Sequence, residues 1–231
     1  KLADLLFPHI TKTPQDYESV YPPRRLPEGA RVTRLAPSPT GFMHFGTLFP
    51  ALTNERLAHQ SGGVFFLRIE DTDSKREVAG AEKDLIDTLA YYKINFDEGA
   101  TESGEIGDYG PYRQSERAEI YHVYAKKLVA EGKAYPCFTT EEEYEALQQV
   151  DKKAEIKNID WHTEAQKQHE QMLRQREFTI EEVEENLKNG NPFVLRILAS
   201  GDGEKKVFCT DLVRGKLELP ENEEDFVLLK S

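Results

Sequence analysis

The chain has 231 residues, 38% of them hydrophobic and 31% charged, with a formal net charge of −12. That length suits one large domain or two small ones with a buried core, and no apolar run approaches the roughly 20 residues of a membrane span. The acidic balance argues against a global nucleic-acid footprint, although a local basic patch can sit on an acidic protein. The N-terminus has early acids and one short apolar patch, unlike a signal peptide. We therefore expect a cytoplasmic protein with no membrane partner. Cys137 and Cys209 stand far apart with no C-x-x-C around either, which predicts neither a disulfide scaffold nor a zinc cluster.

In chain order, residues 1–30 form a Pro-rich leader with little periodicity, expected to drape as an arm. "RVTRLA" (31–36) reads as a short β-branched strand stopped by "PSPTG". An apolar pattern from Gly46 to about His59 predicts a helix, with Pro50 awkward in its first turns. "VFFLRIED" (64–71) is a nearly unbroken apolar run, as in a strand buried on both sheet faces. Residues 79–92 place Ala81, Leu85, Ile86 and Leu89 on one helical stripe. Strand, helix, strand, helix within about 65 residues implies an α/β fold with a parallel sheet.

The Gly-rich stretch "EGATESGEIGDYGPY" reads as a loop. After it, residues 115–133 predict an amphipathic helix with Ile120, Tyr124 and Leu128 stacked along it. Charged helices are expected to about 150 and again over 163–189. In the second, Thr179 and Glu182 have capping-box spacing and Gly190 is placed to end the helix. "PFVLRILA", "KKVFCTD", "VRGKLEL" and "DFVLLKS" are expected strands. The division drawn from this pattern is a leader (1–30), a nucleotide-type domain (31–114) and an inserted mixed α/β domain (115–231).

Open α/β sheets bind ligands beyond the carboxyl ends of their strands. The turn 37–47 lies there and opens a helix, so its backbone donors and helix dipole favour phosphate. His44 can donate to a phosphate oxygen, and Gly46 lets a ring or sugar approach the backbone. "RIEDTD" brings Glu70, Asp71 and Asp73 to the same edge, while Arg34 and Arg76 supply guanidiniums for a carboxylate or phosphate. These features alone describe a nucleotide-binding α/β domain with an anion site and an ammonium site.

"RLAPSPTGFMHFGT", "FLRIEDTDSKREVAGAEKDLIDTL" and "GPYRQSERAEIYHVYAKKLVAEGKAYPCF" together resemble the glutamyl-tRNA synthetases, class I aminoacyl-tRNA synthetases. The resemblance runs from about residue 31 to the end. It implies a Rossmann-type catalytic half-domain followed by an inserted domain that holds the tRNA acceptor stem. His44, Gly46 and Thr47 take the first, third and fourth positions of the HIGH motif. Pro37, Thr40, Gly41, His44 and Gly46 would then bind ATP. Arg34 would pair with the glutamate side chain, Ala36 and Ser38 would line the amino-acid pocket, and Glu70 would take the α-ammonium. Arg76 matches an arginine near the substrate or tRNA end.

The implied reaction is ATP-dependent, Mg²⁺-assisted formation of glutamyl-adenylate, then transfer to tRNA-Glu by a monomer. No K-[LMF]-S-K loop occurs, and Cys137 lacks a second cysteine nearby, so no zinc is expected. The reading is therefore an incomplete, inactive piece of a longer enzyme. The alternatives are the related enzyme that attaches glutamate to queuosine in tRNA-Asp, and a non-catalytic binding fragment. The "EDTD" run, the "DYGPYRQSER" stretch and the leader favour the tRNA-charging form, and "PSPTG" disfavours the glutaminyl enzymes.

Overall fold

The structure, a computed structural model, describes residues 1–73, 75–140, 174–211 and 214–230. The helices expected up to residue 150, and the expected helix from 163 as far as residue 173, lie outside the described residues. The chain divides into two compact units, one made of Lys1–Lys12 with His122–Ser231 and the other of Thr13–Tyr121.

In the Thr13–Tyr121 unit, α2 (Pro14–Val20) precedes β1 (Val32–Leu35), α3 (Phe45–Gln60), β2 (Val64–Leu67), α4 (Ala81–Tyr91), β3 (Glu98–Thr101) and β4 (Gly104–Ile106). Strands β1, β2 and β3 pair in parallel, in that order, and β4 closes the sheet antiparallel to β3. This mixed α/β unit with a parallel sheet agrees with the expected Rossmann-type class. Helices α3 and α4 bury Ala51, Ala58, Leu85 and Leu89 against Leu35, Phe65, Leu67 and Ile69. The predicted stripe on α4 is correct, with Ile86 packed at its margin.

Two expectations in this unit need correction. The run 64–71 alternates: Phe65, Leu67 and Ile69 are fully buried, whereas Val64, Phe66, Arg68 and Glu70 are only half-buried. One sheet face is sealed and the other is only partly covered. The Gly-rich stretch holds the β3–β4 hairpin rather than a plain loop. Gly99 makes its first strand possible, because φ is +149° and a Cβ there would lie 2.6 Å from the Leu67 carbonyl oxygen.

The leader is also more ordered than an arm. Thr13 caps α2, its N–H and hydroxyl both donating to Asp16 Oδ2 at 2.6 and 2.8 Å, and Pro14 fills the first helical position. Farther on, Arg24 forms a two-pronged ion pair with Glu98 and lies 3.6 Å above the centre of the Tyr109 ring.

In the other unit, α1 (Leu2–Leu6) buries Ala3 and Leu6, with the adjoining Phe7, against Ala125, Val129, Ala134, Val183 and Leu195. Here α5 (Ala118–Ala130) leads to β5 (Ala134–Cys137), and α6 (Ile180–Lys188) leads to β6 (Val194–Ile197), β7 (Lys206–Asp211), β8 (Gly215–Pro220) and β9 (Val227–Lys230). Strands β5, β6 and β9 make one antiparallel sheet, and β7 and β8 make a hairpin. The Thr179–Glu182 capping box is formed, and Gly190 follows the helix end with φ +71°. The stripe predicted on α5 holds at Ile120, which is buried, and at Leu128, which packs against the core, but not at Tyr124, which is 40% exposed. Val123, Ala125 and Val129 are the other buried positions.

A buried carboxylate knits the second unit. Asp225 Oδ2 accepts from Tyr135 Oη and Arg176 Nε, both at 2.6 Å, and Oδ1 accepts from the Ala199 N–H at 2.8 Å. Burial pushes its pKa up, but the bonds from Arg176, Tyr135 and Ala199 outweigh that and hold it below the ordinary carboxylate range. A depressed folded-state pKa contributes stability above the unfolded value of about 4 and loses it as the pH falls through the folded value. Asp225→Ala should cost about 3 kcal/mol at pH 7 by stranding Arg176 and Tyr135. Chemical denaturation from pH 7 to 3 should show the wild type losing stability below about pH 4, with this component absent in the variant.

Candidate functional site

The pairing of β1 and β2 continues past both strand ends. The Arg68 N–H donates to Leu35 O at 3.0 Å and the Glu70 N–H to Pro37 O at 2.9 Å. This extended ladder brings "APSPTG" and "RIED" together at the carboxyl edge of the sheet. The loop is tied again where the Val78 N–H donates to Pro39 O at 2.9 Å, and it turns on itself through the Thr40 N–H to Ser38 O bond. Ser38, Thr40 and Gly41 are exposed, while Ala36 and Pro37 are half-buried.

His44 ends the loop as the N-cap of α3, with extended backbone angles (φ −127°, ψ 168°). Its Nδ1 accepts the Gly46 N–H at 3.1 Å. Its carbonyl accepts the N–H groups of Thr47 and Leu48 at 2.9 and 3.1 Å. With Nδ1 serving as acceptor, the neutral ring carries its proton on Nε2. The ring is exposed, so the loop offers an imidazole donor at the positive end of a helix. Gly46 gives the ring room, because a Cβ there would lie 3.0 Å from His44 Cε1 and Nδ1 and the imidazole would have to shift. Helix α3 therefore begins at Phe45, one residue before the predicted start, and Pro50 is accommodated inside it.

Arg34 lies on β1 in register with Phe66. Its carbonyl accepts from Asn54 Nδ2 of α3 at 3.1 Å, and its guanidinium is exposed with no partner among the described residues. Glu70 is half-buried, with Arg68 Nη2 donating to Oε1 at 2.7 Å. Arg68 thus joins the constellation. Its spacing of two from Glu70 along one strand face is the signal that could have identified it. Arg76 and Asp73 are instead engaged with each other in solvent, and the Arg76 guanidinium holds the Asp73 carboxyl below its usual range. Asp71 has a structural role, accepting from the Ser115 N–H and hydroxyl at 2.8 and 2.6 Å.

Among the described residues, no group of three or more His, Cys, Asp or Glu side chains is placed to hold a metal ion. No helix among them is long and apolar enough to cross a membrane.

The family of "tRNA synthetases class I (E and Q), catalytic domain" matches residues 31–231. The chain belongs to this family. It is similar to the glutamate–tRNA ligase of Acetivibrio thermocellus, at 50% identity over 100% of this chain and 41% of that protein. The glutamate–tRNA ligase of Clostridium perfringens (strain 13 / Type A) is 47% identical over 99% of this chain and 41% of its own length. Among solved structures, a glutamate tRNA ligase from Elizabethkingia meningosepticum, crystallised in complex with its amino acid, superposes with a TM-score of 0.69 at 34% identity. That match covers 88% of this chain and 39% of the other. The chain thus spans about 40% of the length of the relatives it matches. The class I synthetase match begins at residue 31, so it includes Arg34, the loop and Glu70 and leaves out the leader.

The far end of α3 is anchored in its own way. His59 is held between Glu55 Oε1 and Asp97 Oδ2, each 3.0 Å from a ring nitrogen. Glu55 is buried, and its other oxygen has Arg56 Nε at 3.2 Å without hydrogen-bonding geometry. The Asp97 hydrogen bond, with help from the charges of Asp97 and Glu55 and against burial, raises the His59 pKa above its ordinary value. A raised histidine contributes stability that is complete below about pH 6.5 and lost as the pH climbs through the folded value. The melting temperature should therefore fall as the pH rises above about 6.5 in the wild type, and His59→Gln should remove that slope.

Proposed function

We propose that the chain forms the ATP- and glutamate-binding part of a ligase that charges tRNA-Glu through glutamyl-adenylate. The observation that carries this reading is the His44 N-cap over Gly46, an imidazole donor at the mouth of α3, on a loop that follows the strand of the exposed Arg34 and is bonded by its Pro37 carbonyl to the Glu70 N–H. In the proposed first step, a carboxylate oxygen of glutamate's α-carboxyl attacks the α-phosphorus of ATP, the P–O bond to the β-phosphate breaks, and pyrophosphate leaves. In the second, the terminal adenosine hydroxyl of tRNA attacks the glutamyl carbonyl and AMP leaves.

His44 Nε2 and the first turn of α3, from Gly46 to Thr47, would stabilise charge growing on the α-phosphate. The exposed loop around Pro37, Thr40 and Gly41 would cradle the nucleotide. Arg34 would pair with the side-chain carboxylate, Ala36 and Ser38 would line the amino-acid pocket, and Glu70 would accept from the α-ammonium. Arg76 belongs to this proposal as a substrate-end or tRNA-end cation. Catalysis would rest on positioning and electrostatics, with no covalent protein intermediate. Mg²⁺ would arrive with the nucleotide as counter-ion to its phosphates, and we assign it no step.

Residues 115–231 would hold the acceptor stem, as part of a cytoplasmic monomer. The 231-residue chain alone would bind substrates while turning little over. The proposal is tested by ATP–pyrophosphate exchange with glutamate and tRNA, using a full-length protein that carries this chain. Arg34→Ala should raise KM for glutamate about a hundredfold, and an unaltered glutamate KM refutes its role. His44→Ala should depress kcat by about 10²–10³ with a smaller effect on glutamate KM. Gly46→Ala, which pushes the imidazole aside, should resemble His44→Ala; full activity in both removes the basis of the reading.

A further inference from the structure

Among the described residues, three hydrogen bonds from outside hold the loop that ends in His44. Two are purely backbone, from Glu70 to Pro37 and from Val78 to Pro39. The third is a side chain: Asp84 Oδ2 accepts the Met43 N–H at 3.1 Å. Between the second and third ties, Thr40, Gly41 and Phe42 are exposed, Phe42 by 63%, so packing does little to fix that stretch. The imidazole is held by the Gly46 N–H, and the His44 backbone by the Thr47 and Leu48 bonds to its carbonyl. On the loop side, its placement depends on the peptide that enters this cap from Met43.

We propose that Asp84 is a positioning residue for adenylation, its carboxylate fixing the Met43 backbone and thereby the placement of His44. This inference rests on the functional reading given above. Asp84 is in the first turn of α4, where the helix dipole favours an acid. The dipole alone does not explain its bond, however. Glu82, in the same turn, pairs with Arg113, whereas Asp84 reaches a backbone donor 41 residues earlier in the chain.

The platform beneath Asp84 is firm. Ala81, Leu85 and Leu89 are 2%, 7% and 0% exposed, and Leu85 and Leu89 share a core with Leu35 and Ala51. An ionised carboxylate is a stronger acceptor for a backbone N–H than a neutral group. Asp84 thus adds a hydrogen bond from the α4 platform to the residue before His44, beside the packing of the Met43 side chain on the same core and beyond the exposed Thr40–Phe42 stretch.

The test combines kinetics with a probe of the contact itself. In a full-length protein carrying this chain, Asp84→Ala should lower kcat for ATP–pyrophosphate exchange about tenfold while KM for glutamate stays within about twofold. Asp84→Asn, which keeps an acceptor in place, should restore most of kcat. In the 231-residue chain, hydrogen exchange at the Met43 amide should speed up about tenfold in Asp84→Ala and stay near wild type in Asp84→Asn.

Wild-type kcat in Asp84→Ala overturns the positioning role whatever the amide does, and so does an Asn variant as damaged as the Ala variant. Should Asp84→Ala fail to fold, the unmodified chain carries the test. Its Met43 amide proton resonance should move as the Asp84 carboxylate is protonated, and an amide that does not respond overturns the proposal. His44→Ala is the control for the underlying reading: if exchange survives in it, that reading fails, whereas the Asp84 contact is judged separately at Met43.

Discussion

Everything at the candidate site depends on a parallel ladder that does not stop where its strands do. Two further bonds, Arg68 to Leu35 and Glu70 to Pro37, carry the β1–β2 pairing into what would otherwise be loose connections. Each is an ordinary backbone bond with a net worth of about 1 kcal/mol. Their importance is geometric, because they set the register between two segments more than thirty residues apart. With that register fixed, the exposed guanidinium of Arg34 and the Glu70 carboxylate come from neighbouring strand ends, and the loop leading to the imidazole starts from the same edge. Without it, each would be a separate surface feature.

The second constraint is steric. A histidine caps a helix through its own ring with least displacement where the residue two positions on leaves room, and Gly46 does. Capping in turn decides which ring nitrogen faces outward as a donor. A chain with a net charge of −12 can therefore present a locally anion-friendly surface, built from one helix terminus, one imidazole and one arginine. Net charge, averaged over the molecule, carries no information about such a patch.

Much of this was legible in the sequence, for identifiable reasons. The α4 stripe and the Thr179–Glu182 cap are local patterns with one dominant period or spacing, the expected strands 192–199, 205–211 and 225–231 contain the strands found there, and 213–219 misses only the last residue of β8. The motif loop was legible because its breakers, His44 and Gly46, are contiguous. What stayed hidden is non-local or glycine-dependent. The β3–β4 hairpin reads as a loop because Gly99 supplies no side chain to signal a strand, yet its lack of a Cβ is what lets it lie against Leu67. The α5 stripe failed at Tyr124 because a tyrosine counts as apolar in a pattern while this one stays at the surface. The half-covered face of β2 could not be foreseen from an apolar run that fits a doubly buried strand equally well. Asp84 looked like any first-turn acid until its partner at Met43 was known. The leader hid α1 behind a few apolar residues, whereas "TPQD" was a readable start for α2.

That leader has a practical implication for how the domain is cut from its gene. The family match opens at residue 31, which invites an expression boundary there. Yet Leu6 and Phe7 sit inside one apolar cluster, and Arg24 lies on Tyr109 and Glu98 in the other unit. A product trimmed to the homologous segment would leave a raw hydrophobic scar on one body and an unneutralised acid on the other. Solubility trials of such trimmed products would then report on the missing thirty residues rather than on the enzyme fold itself.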